Sequence, residues 1–184
     1  KNYPKRDIPE TTANQVLIFM LERLRTYYNE RSFSTDICNA VFKIKPTVPA
    51  HVRKRLIAVE TFCAQPTSSA LLAANKRINN ILRKSADHAS TRWKTELLVE
   101  DAEKTLVKAL EKVTPQIKSL LEKQEYSRCL DCLANLQSPI NIFFEDVLVM
   151  DSDRKLRQNR LAILSHIRFL FALIADFSEL SAER

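Results

Sequence analysis

Apolar residues recur along this chain at intervals of three and four positions, which places side chains on one face of an α-helix. Short polar turns, several of them with proline, separate one such stretch from the next. Thr11 and Thr12 are candidate N-caps for the first helix. The apolar stripe of that helix consists of Leu17, Met20, Leu21, Leu24 and Tyr28. The pattern predicts a succession of helices of ordinary length.

The next three helices are bounded by capping residues and prolines. Ser34 can cap a second helix, which should end before Pro46 because the residue before a proline avoids the α region. Pro49 suits the first turn of a third helix. The turn at Pro66 then separates that helix from a fourth, which we expect to run from about Ala70 to Lys84.

Pro115 interrupts the fifth apolar stripe without shifting its register. One interpretation is that Thr114 caps a new helix with Pro115 at its first position. The other is a single helix that continues through Pro115 with a kink. The preserved register favours the second. The stripe consists of Leu106, Leu110, Val113, Ile117 and Leu120.

Three further helices are expected towards the C-terminus. A short one covers about Tyr126 to Leu136, and Ser138-Pro139 begins another. Asp151 or Ser152 should open the last one. Its apolar face consists of Leu156, Ile163, Ile167, Leu170, Phe171 and Ile174.

Composition supports an all-α fold, expected as a helical bundle. The 184 residues include no glycine, although average usage of about 7% would supply roughly thirteen. Phosphate-cradling loops and tight hairpins rely on glycine, so its absence argues against a nucleotide-binding α/β fold. We expect one domain over residues 1–184, with 1–12 as a candidate linker. Because residue 1 is not methionine, we expect a piece excised from a longer protein.

Apolar runs and cysteine usage bear on the compartment. The chain has no run of eighteen apolar residues and no apolar signal-peptide core at its N-terminus. Its four cysteines are few and unevenly spaced, which suits free thiols in a reducing compartment. These features predict a cytoplasmic protein that does not bind a membrane.

Charge is distributed unevenly between the two halves. Residues 1–95 carry 17 Lys and Arg against 7 Asp and Glu, whereas residues 96–184 carry 12 against 15. Clustered Lys and Arg gain free energy by displacing counterions from a phosphate backbone. The first half is therefore expected to meet an anionic partner.

The sequence gives little indication of a metal site or of catalytic residues in this segment. Cys129 and Cys132 have half the spacing of a zinc knuckle, but the remaining Cys and His residues do not supply a second pair. The histidines are not accompanied by a recognisable nucleophile motif. We therefore expect neither a metal site nor catalytic residues, and no cofactor in this segment.

Two sequence blocks resemble the C-terminal end of the β subunit of bacterial-type glycyl-tRNA synthetase. The first contains F-F-E-D-V-L-V-M at 143–150, L-R-Q-N-R-L at 156–161 and A-D-F-S-E-L at 175–180. The second contains D-I-C-N-A-V at 36–41 and A-N-K-R-I-N-N-I-L at 74–82. The resemblance covers nearly the whole chain and is weakest over the first ten residues and between Ser85 and Lys123. Glu145 and Leu148 depart mildly from the family pattern, which has Asp and Met there.

The resemblance implies a DALR-type anticodon-binding domain with tRNA(Gly) as its partner. It also implies a parent enzyme that ligates glycine to tRNA with ATP and Mg, through a separate α subunit, in an assembly of two α and two β chains. This segment would contribute tRNA affinity and selectivity. DNA and membranes are not expected partners.

An anticodon loop presents splayed bases and closely spaced phosphates, which call for Arg and Lys together with Asn and aromatic side chains. The fourth predicted helix, a basic cluster before it and a tryptophan flanked by basic residues supply these groups. The expected tRNA-binding residues are Arg53, Lys54, Arg55, Asn75, Lys76, Arg77, Asn80, Arg83, Lys84, Arg92 and Trp93. The alternative is that Asn75, Arg77 and Asn80 form hydrogen bonds between helices and that the other residues are a solvated face.

Arg157 and Arg160 are lower-ranked tRNA-binding candidates. Acidic residues lie just upstream of them, namely Glu145, Asp146, Asp151 and Asp153. We favour ionic contacts that fix the turn after Val149, because a buried charge normally keeps a partner. Phe143 and Phe144 are expected in the core.

A competing function is a non-catalytic helical interaction module. Its basic face would meet an acidic protein or a membrane surface. Salt-dependent preference for tRNA over duplex DNA and acidic vesicles separates the two functions.

Overall fold

A computed structural model describes residues 9–85 and 92–180 of the chain. Within these ranges the secondary structure is helical throughout and contains no strand, as predicted. The α-helices are α1 Glu10–Arg31, α2 Thr35–Lys43, α3 Val52–Cys63, α4 Ser68–Lys84, α5 Asp101–Glu122, α6 Tyr126–Ala134, α7 Gln137–Asp146 and α8 Arg154–Ala172. Short 3₁₀ helices cover Pro49–His51, Thr95–Leu97 and Phe177–Glu179.

The boundaries of the first three helices agree with the sequence signals except at the start of α1. This helix begins at Glu10, so Thr11 and Thr12 lie in its first turn and the predicted N-caps are wrong. Ser34 is the N-cap of α2, which ends before Pro46 as predicted. Pro49 begins a 3₁₀ turn that leads directly into α3. Most of the predicted linker, residues 1–12, lies outside the described residues.

Helix α5 continues through Pro115 without a break, so the interpretation in which Thr114 caps a new helix is wrong. Thr114 Oγ1 instead donates to the carbonyl of Leu110 at 2.7 Å. The helix ends in a left-handed residue, Gln124, with φ of 59°. The Glu125 N–H then reaches back to the carbonyl of Leu120 at 2.9 Å, which closes a Schellman turn without glycine.

Helix α8 is more deeply buried than a one-sided amphipathic pattern predicts. Its residues 159–165 are all buried, including the polar Asn159 and Ser165. The helix begins at Arg154, and the carboxylate of Asp153 accepts from the N–H groups of Lys155 and Leu156. Asp153 is therefore the N-cap, rather than Asp151 or Ser152. The central position of α8 makes its polar residues available for contacts inside the bundle.

Helix α1 is the most exposed helix of the described part. Leu21 is its buried residue, while Val16, Ile18 and Phe19 are each more than half exposed. Arg25 of α1 donates to Asn39 of α2 at 2.5 Å. Within residues 9–85 and 92–180, no helix combines the length and apolar character needed to cross a membrane.

Candidate nucleic-acid interface

Helix α4 carries a solvent-exposed surface of cations and amides. Its opposite side is fixed in the core by Leu71, Leu72 and Ile78, and it lies between α7 on one flank and α8 with the 3₁₀ helix Phe177–Glu179 on the other. The sequence of α4 contains no Asp or Glu. We call its exposed polar residues the basic face, which consists of Lys76, Arg77, Asn80, Arg83 and Lys84.

The cations of the basic face have no carboxylate partner within the described ranges. Arg83 Nη2 donates to Asn80 Oδ1 at 3.2 Å, which joins two members of the face. Arg77 Cζ lies 4.1 Å from the ring centroid of Phe144 on α7, a cation–π contact that holds the guanidinium over an aromatic surface. A groove of about 470 Å³ runs along this side of α4 and is lined by Ala73, Lys76, Arg77, Asn80, Ile81 and Lys84. Four of the predicted site residues therefore line one groove, and Arg83 joins them through Asn80.

The predicted cluster on α3 divides into exposed and inward-facing residues. Arg53 and Lys54 are exposed, and Lys54 Nζ donates to Gln124 at 2.8 Å. Arg55 Nη1 instead donates to the carbonyls of Leu173 and Ile174, at 2.6 and 2.8 Å.

Arg55 is also packed against an aromatic ring, since its Cζ lies 4.3 Å from the ring centroid of Tyr126. Burial lowers the pKa of Arg55 despite the neighbouring Tyr126. A cation at the last carbonyls of a helix is favourable because it offsets the helix dipole. Arg55 thus caps the C-terminal end of α8, and its guanidinium is not directed to solvent in the way that an RNA contact needs.

Asn75 lies on the inner flank of α4 rather than on the basic face. Its side chain is 2% exposed. Its Oδ1 has no hydrogen-bond partner among the described residues, so the predicted bond to a neighbouring helix is not seen for that atom. The amide of Asn79, one turn later, donates to the Asn75 backbone carbonyl at 3.0 Å.

Trp93 lies beside α8 and is only half-buried. Its ring makes an edge contact with His166, with 5.1 Å between centroids. Asn159 fixes the next residue, because it accepts from Lys94 N at 2.7 Å and donates to Lys94 O at 3.1 Å. Arg92 is exposed. The roles of Arg92 and Trp93 in RNA binding remain predictions.

Arg160 is a structural residue, which corrects its lower-ranked placement at the RNA surface. It is 3% exposed, and its Nε donates to Glu103 Oε1 at 2.8 Å. Its Nη1 donates to Asp151 Oδ2 at 2.7 Å and to the carbonyl of Leu148 at 2.9 Å. Burial alone would lower the pKa of Arg160, but Glu103 and Asp151 raise it overall.

The predicted ionic network around the turn after Val149 is thus present, although its members differ in part. Arg157 Nη1 donates to the carbonyl of Asp151 at 2.6 Å, so this guanidinium also stabilises the turn. The pKa of Asp151 is lowered, first by the N–H of Asp153 and then by Arg160.

Glu103, on α5, was not predicted as a member of this network. Its only local signal is the spacing to Glu100, which forms a capping box at the start of α5. Phe143 is fully buried, as predicted.

Cys129 and Cys132 are free thiols. Burial, followed by the neighbouring Cys132, raises the pKa of Cys129 to about 11. Within the described ranges, no group of three or more His, Cys, Asp or Glu side chains is placed to hold a metal ion.

A second cavity, of about 430 Å³, lies on the other flank of α4 and was not anticipated from the sequence. It lies among α4, α8, the segment that follows α8 and Ile44, and it is partly open to solvent. Its lining residues are Ile44, Asn75, Asn79, Ser165, Arg168, Phe169, Phe171, Ala172, Ala175, Asp176 and Phe177. We call it the interhelical cavity.

Comparison with known proteins identifies the family to which the chain belongs. Residues 71–177 match the family described as the DALR anticodon binding domain. The chain is 42% identical over 169 residues to the glycine–tRNA ligase β subunit of Shewanella woodyi, which covers 92% of this chain and 24% of that protein. It is 39% identical over 168 residues to the glycine–tRNA ligase β subunit of Marinobacter nauticus, with 91% and 24% covered. The chain thus spans about a quarter of the length of these curated relatives.

Proposed function

We propose, from the premise that this chain belongs to the DALR anticodon binding domain family, that it binds the anticodon loop of tRNA(Gly). It would do so as part of a glycine–tRNA ligase β subunit, since the relatives at about 40% identity carry that name. The residues that would hold the RNA are those of the basic face. Its contribution would be affinity and selectivity for the tRNA.

The observation that carries this proposal is the unneutralised charge of α4. Lys76, Arg77, Arg83 and Lys84 stand on one helix surface without a carboxylate on that helix. When such cations bind phosphates, condensed counterions are released and binding becomes strongly dependent on salt. The uncompensated cations of α4 therefore match a phosphate chain better than a neutral partner.

Bases would be contacted by the amide and aromatic groups beside these cations. Asn80 offers a donor and an acceptor at the groove, and it is held by Arg83 at 3.2 Å. The guanidinium of Arg77 packs against the ring of Phe144, with 4.1 Å between Cζ and the ring centroid. A base can stack on such a planar cation. Phosphate contacts would position the loop, and these groups would contact its unstacked bases.

Chemistry on glycine and ATP would take place elsewhere in the parent enzyme. In our proposal ATP, Mg and glycine act at the α subunit of a cytoplasmic synthetase, to which this chain would be joined through the rest of its β subunit. Binding the anticodon end here would hold the acceptor end in place for that reaction. We therefore expect no ATP–pyrophosphate exchange with glycine by this chain alone.

A binding competition tests the function against its alternative. The chain would be titrated with tRNA(Gly), duplex DNA of equal charge, and vesicles containing anionic lipid, each at several salt concentrations. Preference for tRNA(Gly) at every salt concentration supports anticodon binding. Equal affinity for the three would indicate a general basic face for acidic proteins or membranes instead.

A further inference from the structure

We propose that helix α1 packs against another part of the parent β subunit, through an apolar side that the described bundle leaves exposed. This inference rests on the proposed function, because it takes the chain to be one part of such a subunit. About three-quarters of the length of the β-subunit relatives lies outside the segment that matches this chain. The partner surface would present apolar side chains with carboxylates beside them.

One side of α1 carries large apolar side chains that are open to solvent. Four of them are at least 44% exposed, namely Val16, Phe19, Met20 and Tyr27. Successive residues of an α-helix are rotated by about 100°, so these four positions fall within about 100° of the helix circumference. Monomeric proteins rarely expose a contiguous apolar patch on this scale, and such a patch marks an interaction surface.

Two arginines lie among these apolar residues. Arg23 Cζ is 5.2 Å from the ring centroid of Phe19, and Arg31 Cζ is 4.8 Å from that of Tyr27. Within residues 9–85 and 92–180 neither arginine has a carboxylate partner. Carboxylates on the partner would complement these two cations. We call this surface the α1 strip, which consists of Val16, Phe19, Met20, Arg23, Tyr27 and Arg31.

A groove beside the α1 strip can receive apolar side chains of the partner. Its volume is about 640 Å³, and it lies between α1 and the start of the 3₁₀ helix Pro49–His51. Besides residues of the strip, it is lined by Leu24, Tyr28, Pro49 and Ala50. Among the described residues that line it, Arg23 is the one that carries a charge. An apolar groove with a cation at its edge resembles the centre and rim of a protein–protein interface.

The composition of α1 favours a protein partner over RNA. Bases can also stack on aromatic rings and on arginine. However, α1 contains three Glu and three Arg, so the helix as a whole is neutral and would gain little from counterion release. Val16 and Met20 add apolar area but have no ring on which a base could stack. Aromatic residues, Met and Arg are the types that are enriched where proteins bind one another.

The attachment of α1 to the bundle leaves the α1 strip available. This helix packs chiefly against α2, and Leu21 is its buried residue. Leu21 lies about 160° round the helix from Phe19, so the buried and exposed apolar residues are on different sides. The family match at residues 71–177 does not include α1. This helix is therefore an addition to the matched domain, and it can join that domain to another part of the subunit.

Photo-crosslinking identifies what covers the α1 strip in the full-length β subunit that contains this chain, assembled with its α subunit and tRNA(Gly). p-Benzoylphenylalanine would replace Phe19 or Tyr27. The control position is Asn14, which is exposed and lies about 140° round α1 from both. We expect Phe19 and Tyr27 to crosslink, within a single β subunit, to peptides outside residues 1–184, and Asn14 not to do so. Crosslinks to tRNA, to the α subunit or to a second β subunit, or no crosslinks, would overturn the inference.

Hydrogen exchange of the α1 amides measures the same contact without a crosslinker. Exchange should be at least about tenfold slower in the full-length subunit than in the 184-residue chain, because a docked helix opens less often. Phe19→Ser with Tyr27→Ser should remove this difference, whereas Asn14→Ser should keep it. The 184-residue chain should melt alike in all three forms, since the replaced side chains are exposed. Equal exchange of wild-type α1 in the subunit and in the chain would contradict the docking.

Titration with tRNA(Gly) separates this inference from the proposed function. The wild-type chain and the chain with Phe19→Ser and Tyr27→Ser should bind tRNA(Gly) equally well. If the double variant binds it more weakly, the α1 strip is an RNA surface and the inference is overturned, while the proposed function stands. If the wild-type chain does not bind tRNA(Gly), the proposed function fails, and the crosslinks within the subunit decide the docking independently.

Discussion

Arg160 Nε of α8 lies 2.8 Å from Glu103 Oε1 of α5, and the two side chains are 3% and 0% exposed. The other carboxylate oxygen of Glu103 accepts from the backbone N–H groups of Val99 and Glu100, each at 2.8 Å. One buried carboxylate therefore completes the start of α5 and anchors α8. Such a network can be maintained inside a protein because its hydrogen-bonding groups have partners.

Replacing one member of this buried pair should strongly lower the free energy of unfolding. Arg160→Met leaves the Glu103 carboxylate buried without its cation, and we expect the free energy of unfolding to fall by about 3–5 kcal/mol. Urea denaturation followed by circular dichroism measures it. The control is Lys104→Ala, which removes a surface pair with Asp101, a side chain 97% exposed, and should cost at most about 1 kcal/mol. Equal small losses in both variants would show that the buried pair does not stabilise the bundle.

Ile167→Asp tests the central position of α8. Ile167 is 0% exposed, and an unpaired carboxylate there should cost several kcal/mol against a total stability of about 5–15 kcal/mol. The variant should lack a cooperative thermal transition near that of the wild type. Ile142→Asp makes the same change at a side chain that is 40% exposed, and it should unfold almost as the wild type does. A normal transition for Ile167→Asp would mean that this face of α8 is not in the core.

Asp176 should contribute stability that disappears in acid. Burial raises the pKa of Asp176, but hydrogen bonds from Ser178 and Lys43 outweigh burial and hold the pKa below its ordinary value of 3.8. A lowered pKa means that the folded state holds its proton less tightly than the unfolded state. The contribution is therefore present above pH 3.8 and is lost as the pH falls through the folded-state pKa.

The variant Asp176→Asn tests the direction of this pH dependence of stability. The difference in unfolding free energy between wild type and variant should be largest near neutral pH and shrink below about pH 4. Urea titrations at a series of pH values measure it. A difference that stays constant from pH 7 to pH 3 would mean that the Asp176 carboxylate does not gain from its partners.

The thiols should differ in their reactivity. Cys129 is 0% exposed and has a pKa of about 11, so the native chain should expose very little thiolate at pH 8. Cys132 is only partly buried, although burial raises its pKa as well. Iodoacetamide should label Cys132 well before Cys129 in the native protein and both alike in urea, as read by peptide mass spectrometry. Labelling of native Cys129 as fast as Cys132 would contradict the burial of that thiol.

Local patterns in the sequence were sufficient for most of the helices. Ser34, Pro46 and Pro49 act on their own neighbours, so the bounds of α2 and α3 follow from them. Pro115 is an instructive case, because the unbroken register of the flanking apolar residues correctly indicated a continuous helix. The sequence could not predict that Asp153 rather than Asp151 caps α8, since both side chains are capable of capping.

Tertiary partners could not be predicted in this way. Glu103 is separated from Arg160 by 57 positions, and helical periodicity does not indicate which distant residues meet. For the same reason Arg55 looked like a free cation, although it caps α8 through the carbonyl of Leu173. The exposed strip from Lys76 to Lys84 was visible because it depends on one helix alone.

The salt dependence of tRNA binding tests the central claim most directly. Lys76, Arg83 and Lys84 would be replaced together by alanine, with Lys118→Ala and Lys123→Ala together as the control on exposed positions of the more acidic half. We expect the slope of log Kobs for tRNA(Gly) against log salt concentration to decrease in magnitude by about 0.7 to 0.9 for each lost phosphate contact. The control should change it little, and the fold should survive in both. An unchanged slope in the triple variant, or equal losses in the two variants, would contradict phosphate binding by the basic face.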